Sequence, residues 1–290
     1  MSEEAQGRRR LRPPWWLRVV VVAGLVYAGW CLVLYAMQDD LVFPRPSRGA
    51  GALPNRTGFA QVWVTADDGV RVEGWYCAAP GPGRKACAVV FHGNGDLIDN
   101  QMDYVDFFRR FGMSSLLVEY RGYGRSTPTA RPSEAGIVSD SARFIDWLVA
   151  RPDIDGGRLV YVGHSLGSGV AAQLAAHRPA AAVILEAPFT SVAAFASGYG
   201  APGFLVKHPF RTDRTLPPLA ERGLPVMIAA SRADEIVPFT HAERLKALMP
   251  SATLVEIGGG HNDPPVLAEG YFERVEEFLL RAGVVRAGYP

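Results

Sequence analysis

The segment Val19 to Met37, VVVVAGLVYAGWCLVLYAM, is apolar along its whole length and shows no polar face. As a helix its nineteen residues would extend roughly 28 Å, enough to cross the hydrocarbon core of a bilayer. In hydrocarbon the backbone can satisfy its own polar groups only as a helix, so this run divides the chain into an anchor and a unit that folds after it. Arg8, Arg9, Arg10, Arg12 and Arg18 precede the run, whereas Asp39 and Asp40 follow it. That asymmetry predicts a cytoplasmic basic tail over 1–18, a transmembrane anchor over 19–37, and a remainder on the extracytoplasmic side. Trp15 and Trp16 suit the interface, and Arg18 can snorkel back to the headgroups. A cleaved signal peptide would carry a shorter apolar core and a small-residue cleavage site. A buried core helix would carry a polar stripe. The run has neither feature.

Residues 38–58 read as a juxtamembrane linker, with RPSRGAGALPNR (Arg45 to Arg56) rich in Pro and Gly. The rest, 59–290, is long enough for one large α/β domain, and an apolar content of 48% supplies a core for it. Outside the arginine-rich start, nothing forms a basic groove, so nucleic acid is not an expected partner. The three cysteines and six histidines include no C-x-x-C and no H-E-x-x-H, so neither a metal nor a cofactor is expected. Cys77 and Cys87 bracket the loop AAPGPGRKA. On the extracytoplasmic side a disulfide would close it, and two unpaired thiols on neighbouring strands fit the sequence equally.

The period of the apolar residues then changes along the chain. FAQVWVTADDG and VRVEGWYC are β-rich runs joined at Asp68-Gly69, a hairpin signal. From CAVVF (Cys87 to Phe91) onward, short apolar runs of the buried parallel type alternate with helical patterns. Strands are expected at 115–119, 158–162, 180–186, 225–230 and 252–257. Helices are expected at 98–111, 134–150 (capped by Ser133), 166–177 and 265–282. The result is a mostly parallel sheet with helices on both faces.

Chemistry-bearing residues fall just past the strand ends, where ligand sites of parallel sheets form. GHSLG, at Gly163 to Gly167, lies between a strand and a helix, as a nucleophile elbow requires. Asp234 lies in the loop after PVMIAAS, and His261 in the loop after TLVEI. A serine hydroxyl is a weak nucleophile, so it needs an imidazole to take its proton and a carboxylate to orient that imidazole. Glu186, at the end of the preceding strand, is the best alternative acid. Asp263, two residues past His261, reads as a cap of the last helix. HGNG, after CAVVF, supplies glycines that let backbone approach a substrate. The N–H groups of Asn94 and Leu166 are then the expected oxyanion donors. No G-x-G-x-x-G follows the first parallel strand, which excludes a dinucleotide-binding dehydrogenase.

HGNGD, VEYRGYGRS, VGHSLGSGVA, ADEIVP and GGGHND together resemble the α/β-hydrolase superfamily, over roughly Phe59 to Ala282. The anchor followed by QDDLVFP, and HGN rather than HGG, resemble the membrane-anchored, ABHD-type serine hydrolases. The resemblance implies an α/β-hydrolase fold with Ser165 as nucleophile, Asp234 as acid and His261 as base. Asn94 and Leu166 would form the oxyanion hole. The insertion 188–223 is the expected lid, and its Phe, Ala, Gly and Pro suit an acyl chain. The expected activity is hydrolysis of carboxylic esters or thioesters, including lipid esters, through an acyl-enzyme. A catalytically inactive binding scaffold on the same fold and a serine peptidase or amidase are the alternatives. Removal of residues 1–37 is expected to leave an active domain.

Overall fold

The computed structural model of the chain describes residues 14–46, 51–286 and 288. Arg8, Arg9, Arg10 and Arg12 of the expected basic tail lie outside the described residues, as does 47–50 of the expected linker. Helix α1 spans Trp15–Val42, longer at both ends than the apolar run that announces it. It is long and apolar enough to cross a membrane, and almost all its side chains are exposed.

Eight strands form one sheet: β1 (Phe59–Thr65), β2 (Arg71–Cys77), β3 (Lys85–Phe91), β4 (Ser114–Val118), β5 (Ile154–His164), β6 (Ala182–Glu186), β7 (Val226–Ser231) and β8 (Thr253–Ile257). Their order across the sheet is β1-β2-β4-β3-β5-β6-β7-β8. The β1–β2 and β2–β4 pairs are antiparallel and the rest are parallel. The first hairpin turns at Gly69, whose φ of 79° suits a residue without a Cβ, and Asp68 Oδ1 accepts from Val70 N.

The pleat divides the core in two, because successive side chains of a strand point to opposite faces. On one face Val89, Phe91, Leu159 and Tyr161 pack with Phe144 and Leu148 of α3 (Glu134–Val149), Leu174 of α4 (Leu166–His177), and Leu245 of α7 (Thr240–Leu248). On the other, Val90, Val160 and Val162 pack with Phe108 of α2 (Met102–Arg109) and with Val275 and Leu279 of the last helix. The parallel strands are covered on both sides, which is why they read as unbroken apolar runs. Ser133 caps α3 by accepting from Gly136 N at 3.1 Å.

Four expectations change. The helix expected at 98–111 is a 3-10 turn (Ile98–Asn100) followed by α2, and the one expected at 265–282 is a 3-10 turn (Pro265–Leu267) followed by α8 (Tyr271–Arg281). The insertion 188–223 has two parts. Its first holds the short helix α5 (Val192–Gly198) and a 3-10 turn (Gly203–Leu205). Its second is helix α6 (Thr212–Glu221), which rests on α4 and contributes buried Leu216 and Leu219 to the core. The first part, and not the second, lines a cavity together with Ser165. Cys77 and Cys87 are free and buried. They occupy β2 and β3, and β4 runs between them, with Cys77 beside Ser115 and Cys87 beside Ser114.

Helix α1 does not stand apart from this unit. Phe43, one residue past its end, is buried edge-on against His208 and Phe210. Asp39 pairs with Lys207 Nζ at 3.2 Å and lies 3.4 Å from His208 Nε2. Helix α1 is thus docked at its carboxyl end on the segment that holds Lys207, His208 and Phe210.

Candidate active site

Strand order reverses at β3, since β4 lies on one side of it and β5 on the other. The loops leaving β3 and β5 therefore diverge and open a crevice at their carboxyl ends. Ser165 stands in that crevice with φ 51° and ψ −116°, a left-handed-side backbone that a non-glycine residue adopts only under constraint. Its N–H donates to Glu186 O at 2.9 Å, and its carbonyl accepts from Ser168 N and Ser168 Oγ. The two flanking glycines make the turn sterically possible. A Cβ on Gly163 would lie 2.1 Å from Gly167 O, and one on Gly167 would lie 2.0 Å from Phe91 O. Neither distance admits a carbon atom.

The structure brings Ser165, His261 and Asp234 into one hydrogen-bonded row. His261 Nε2 lies 3.0 Å from Ser165 Oγ, and His261 Nδ1 lies 2.8 Å from Asp234 Oδ2. Asp234 Oδ1 is occupied by Ile236 N at 2.9 Å and Val237 N at 2.7 Å, so the carboxylate is oriented by its own loop. Glu186, the alternative acid, points elsewhere. Its carboxyl accepts from the hydroxyls of Tyr104 and Tyr271 and is fully buried, which pushes its pKa up to about 7. Asp263 is not a helix cap. Its Oδ2 accepts from Gly260 N at 2.7 Å and closes the GGGH turn, because the chain must turn back at once to bring His261 over the elbow.

Several positioning residues were not legible as such. Glu235 Oε2 accepts from His261 N at 3.1 Å. His164 Nε2–H donates to His261 O at 3.0 Å. Burial, and then the neighbouring His261, lower the His164 pKa to about 4, so its ring is neutral and the donor is fixed on Nε2. Ser231 Oγ donates to Gly259 O at 2.5 Å. Together these contacts hold the His261 loop at both of its sides.

The loop after β3 is held with its carbonyls turned inward. Tyr120 OH donates to His92 O at 2.7 Å, His92 Nδ1–H to Gly93 O at 2.7 Å, and Tyr123 OH to Asn94 O at 3.0 Å. In a trans peptide the following N–H points opposite to the carbonyl, so the N–H of Asn94 is directed away from these anchors. Gly93 lies against the elbow, since a Cβ there would sit 3.7 Å from Ser165 Cβ. Leu166 N opens α4, where no helical acceptor exists for it. Below the loop, His92 Nε2 pairs with Glu119 Oε1 at 2.7 Å. Burial pulls the His92 pKa down, but the charge and hydrogen bond of Glu119 outweigh it and raise the net value. Glu119 also accepts from Tyr120 N and Ile98 N. The motif VEYRGYGRS signals this support only through its tyrosines and its glutamate.

A cavity of about 870 Å³ opens over the row, bounded by the β3 loop, the elbow, the His261 loop and the lid. Cys31, Leu34 and Leu41 of α1 form part of its wall. Among the described residues no group of three or more His, Cys, Asp or Glu is arranged to hold a metal ion.

The family described as "Serine aminopeptidase, S33" matches residues 82–212. An uncharacterized protein of Mycobacterium tuberculosis, Rv2307c, is 34% identical over 93% of this chain and 96% of its own length. The "Alpha/beta hydrolase domain-containing protein WAV2" of Arabidopsis thaliana is 30% identical over 88% of this chain and 91% of its own length. An esterase of Pyrococcus furiosus, Pf2001, superposes with a TM-score of 0.66 at 18% identity, over 82% of this chain and 98% of its own. Fold, site geometry and relatives agree on the class. The chain belongs to the α/β-hydrolase superfamily and is a hydrolase.

Proposed function

We propose that the chain is a serine hydrolase of carboxylic esters or thioesters working through an acyl-enzyme. The observation that carries this reading is the row Ser165–His261–Asp234 at 3.0 and 2.8 Å, facing a cavity. His261 takes the Oγ proton as Oγ attacks the acyl carbon. Asp234, held by two backbone N–H groups, accepts from Nδ1–H and stabilises the imidazolium that forms. The negative oxygen of the tetrahedral intermediate meets the N–H groups of Asn94 and Leu166. Collapse expels the alcohol or thiol, which takes the proton back from His261. Water then attacks the acyl-enzyme by the same route, and the acid leaves.

The cavity wall supports an acyl substrate, since α1 and the lid contribute Leu34, Leu41, Phe195 and Leu205 to it. Helix α1 is read as a membrane anchor, with residues 1–18 cytoplasmic and the hydrolase unit on the extracytoplasmic side. The family description favours a second reading, an aminopeptidase. A panel of p-nitrophenyl butyrate, a palmitoyl thioester and alanine p-nitroanilide separates the readings. Ester or thioester turnover that disappears in Ser165→Ala supports the proposal. Turnover of the anilide alone would favour the peptidase, and turnover of none would favour a binding scaffold.

A further inference from the structure

The lid and α1 meet through hydrogen bonds between helix side chains and lid backbone. Tyr27 OH donates to Gly200 O at 2.9 Å, and Trp30 Nε1–H donates to Tyr199 O at 3.1 Å. Gln38 bridges the other end, donating to Leu205 O at 3.2 Å and accepting from Lys207 N at 2.7 Å. Tyr27 and Gln38 are eleven residues apart on one helix, roughly 16 Å along its axis. The lid therefore runs beside the apolar half of α1 for about half the thickness of a hydrocarbon core. Its residues 192–206, VAAFASGYGAPGFLV, contain no charge, and the first cation, Lys207, pairs with Asp39 level with the end of the apolar run. At the tip Phe204 is 85% exposed and Tyr199 69% exposed, although each is a large apolar side chain. Exposure of such a tip to water raises the free energy, and its transfer into hydrocarbon lowers it. Irregular backbone in hydrocarbon needs partners for its carbonyls, and Tyr27 and Trp30 supply them. Between lid and helix lies the cavity itself, walled on this side by Cys31, Leu34 and Leu41 and reaching Ser165 at its other end.

We propose that the lid is immersed in one leaflet beside α1, and that the gap between them admits a bilayer-resident long-chain acyl ester laterally to Ser165. The inference rests on the hydrolase reading and on α1 spanning the membrane, and it assigns the substrate's place of origin. The acyl chain enters along Leu34, inside the apolar run, without crossing water. The ester group then passes Gln38, which lines the same cavity, to reach Ser165.

The test places the full chain in phosphatidylcholine vesicles with two esters, p-nitrophenyl acetate in the water and 4-methylumbelliferyl palmitate in the bilayer. Phe204 lies outside the cavity wall and is exposed, so Phe204→Asp disturbs immersion without touching the site. The expected result is at least a tenfold loss of palmitate turnover, with acetate turnover within twofold and recovery in Phe204→Leu. Palmitate turnover within twofold of the parent overturns the portal, and so does an equal loss of both activities. A second readout is independent of turnover. A nitrobenzoxadiazole label on Phe204→Cys, in a Cys31→Ser background, is expected to be quenched by acyl-chain nitroxides and protected from aqueous iodide. Quenching by iodide overturns the portal even in an active enzyme. A parent chain that hydrolyses neither ester contradicts the hydrolase reading instead, and the quenching result then decides the portal alone.

Discussion

The two sides of the cavity are built by different forces. At the sheet, the elbow and the β3 loop are fixed by backbone: Gly163 and Gly167 approach other carbonyls within 2.1 Å of where a Cβ would be, and each carbonyl of residues 92–94 has a named donor. At α1 and the lid, the wall is apolar contact bridged by a few hydrogen bonds from Tyr27, Trp30 and Gln38. The first side tolerates almost no displacement, because its bonds are directional and its contacts are at the steric limit. The second can shift with little penalty, since apolar burial has no preferred direction. On the proposed hydrolase reading, chemistry falls to the rigid side and substrate selection to the compliant one. Changes at the sheet should therefore act on kcat, and changes at the wall on KM.

The sharpest probe of that division is Asp234→Asn. It should lower kcat for p-nitrophenyl butyrate by about 10³ to 10⁴-fold while leaving the melting temperature within a few degrees. An effect below tenfold would mean that another carboxylate orients His261. Next in size is His164→Ala, which removes the donor to His261 O. A fall in kcat of roughly 10 to 100-fold is expected, with partial rescue by His164→Gln, whose amide can still donate. Equal kcat in both variants would remove His164 from the positioning scheme. On the compliant side, Leu34→Trp narrows the wall. It should raise KM for a long-chain ester by about tenfold with kcat little changed. A loss confined to kcat would break the comparison.

The smallest effect concerns stability. Burial raises the pKa of Glu186 from the ordinary carboxylate range to about 7. A raised pKa means that the folded state favours the protonated acid, so this contribution is fully present below about pH 4.5 and is lost as pH rises through 7. The span corresponds to roughly 3 kcal/mol at most. Glu186→Gln should therefore melt progressively higher than the parent between pH 5 and pH 8, by several degrees at the upper end. A constant difference across that range would contradict the buried, neutral form.

What the sequence disclosed follows the same division. The parallel strands, the elbow and the loops carrying Asp234 and His261 were legible because each depends on local pattern: an apolar run, two glycines, a strand end. Other features depend on contacts distant in sequence. Cys77 and Cys87 looked adjacent because the order β2-β4-β3 is not sequential. The second part of the insertion looked like lid because Phe210, Leu216 and Leu219 reveal their burial only once α4 lies beneath them. Tyr120, Tyr123, Glu119 and His164 form a support with no period of its own. Helix α1 showed its length and composition, while its docking through Asp39 and Phe43 required the partner residues Lys207, His208 and Phe210.

The central claim is that His261, oriented by Asp234, activates the strained Ser165. Reaction of the full chain with a fluorophosphonate, followed by mass spectrometry, tests it most directly. The account predicts a single adduct on the peptide containing Ser165, absent in Ser165→Ala and formed at least a hundredfold more slowly in His261→Ala. An adduct on another residue, or undiminished labelling in Ser165→Ala, would contradict it.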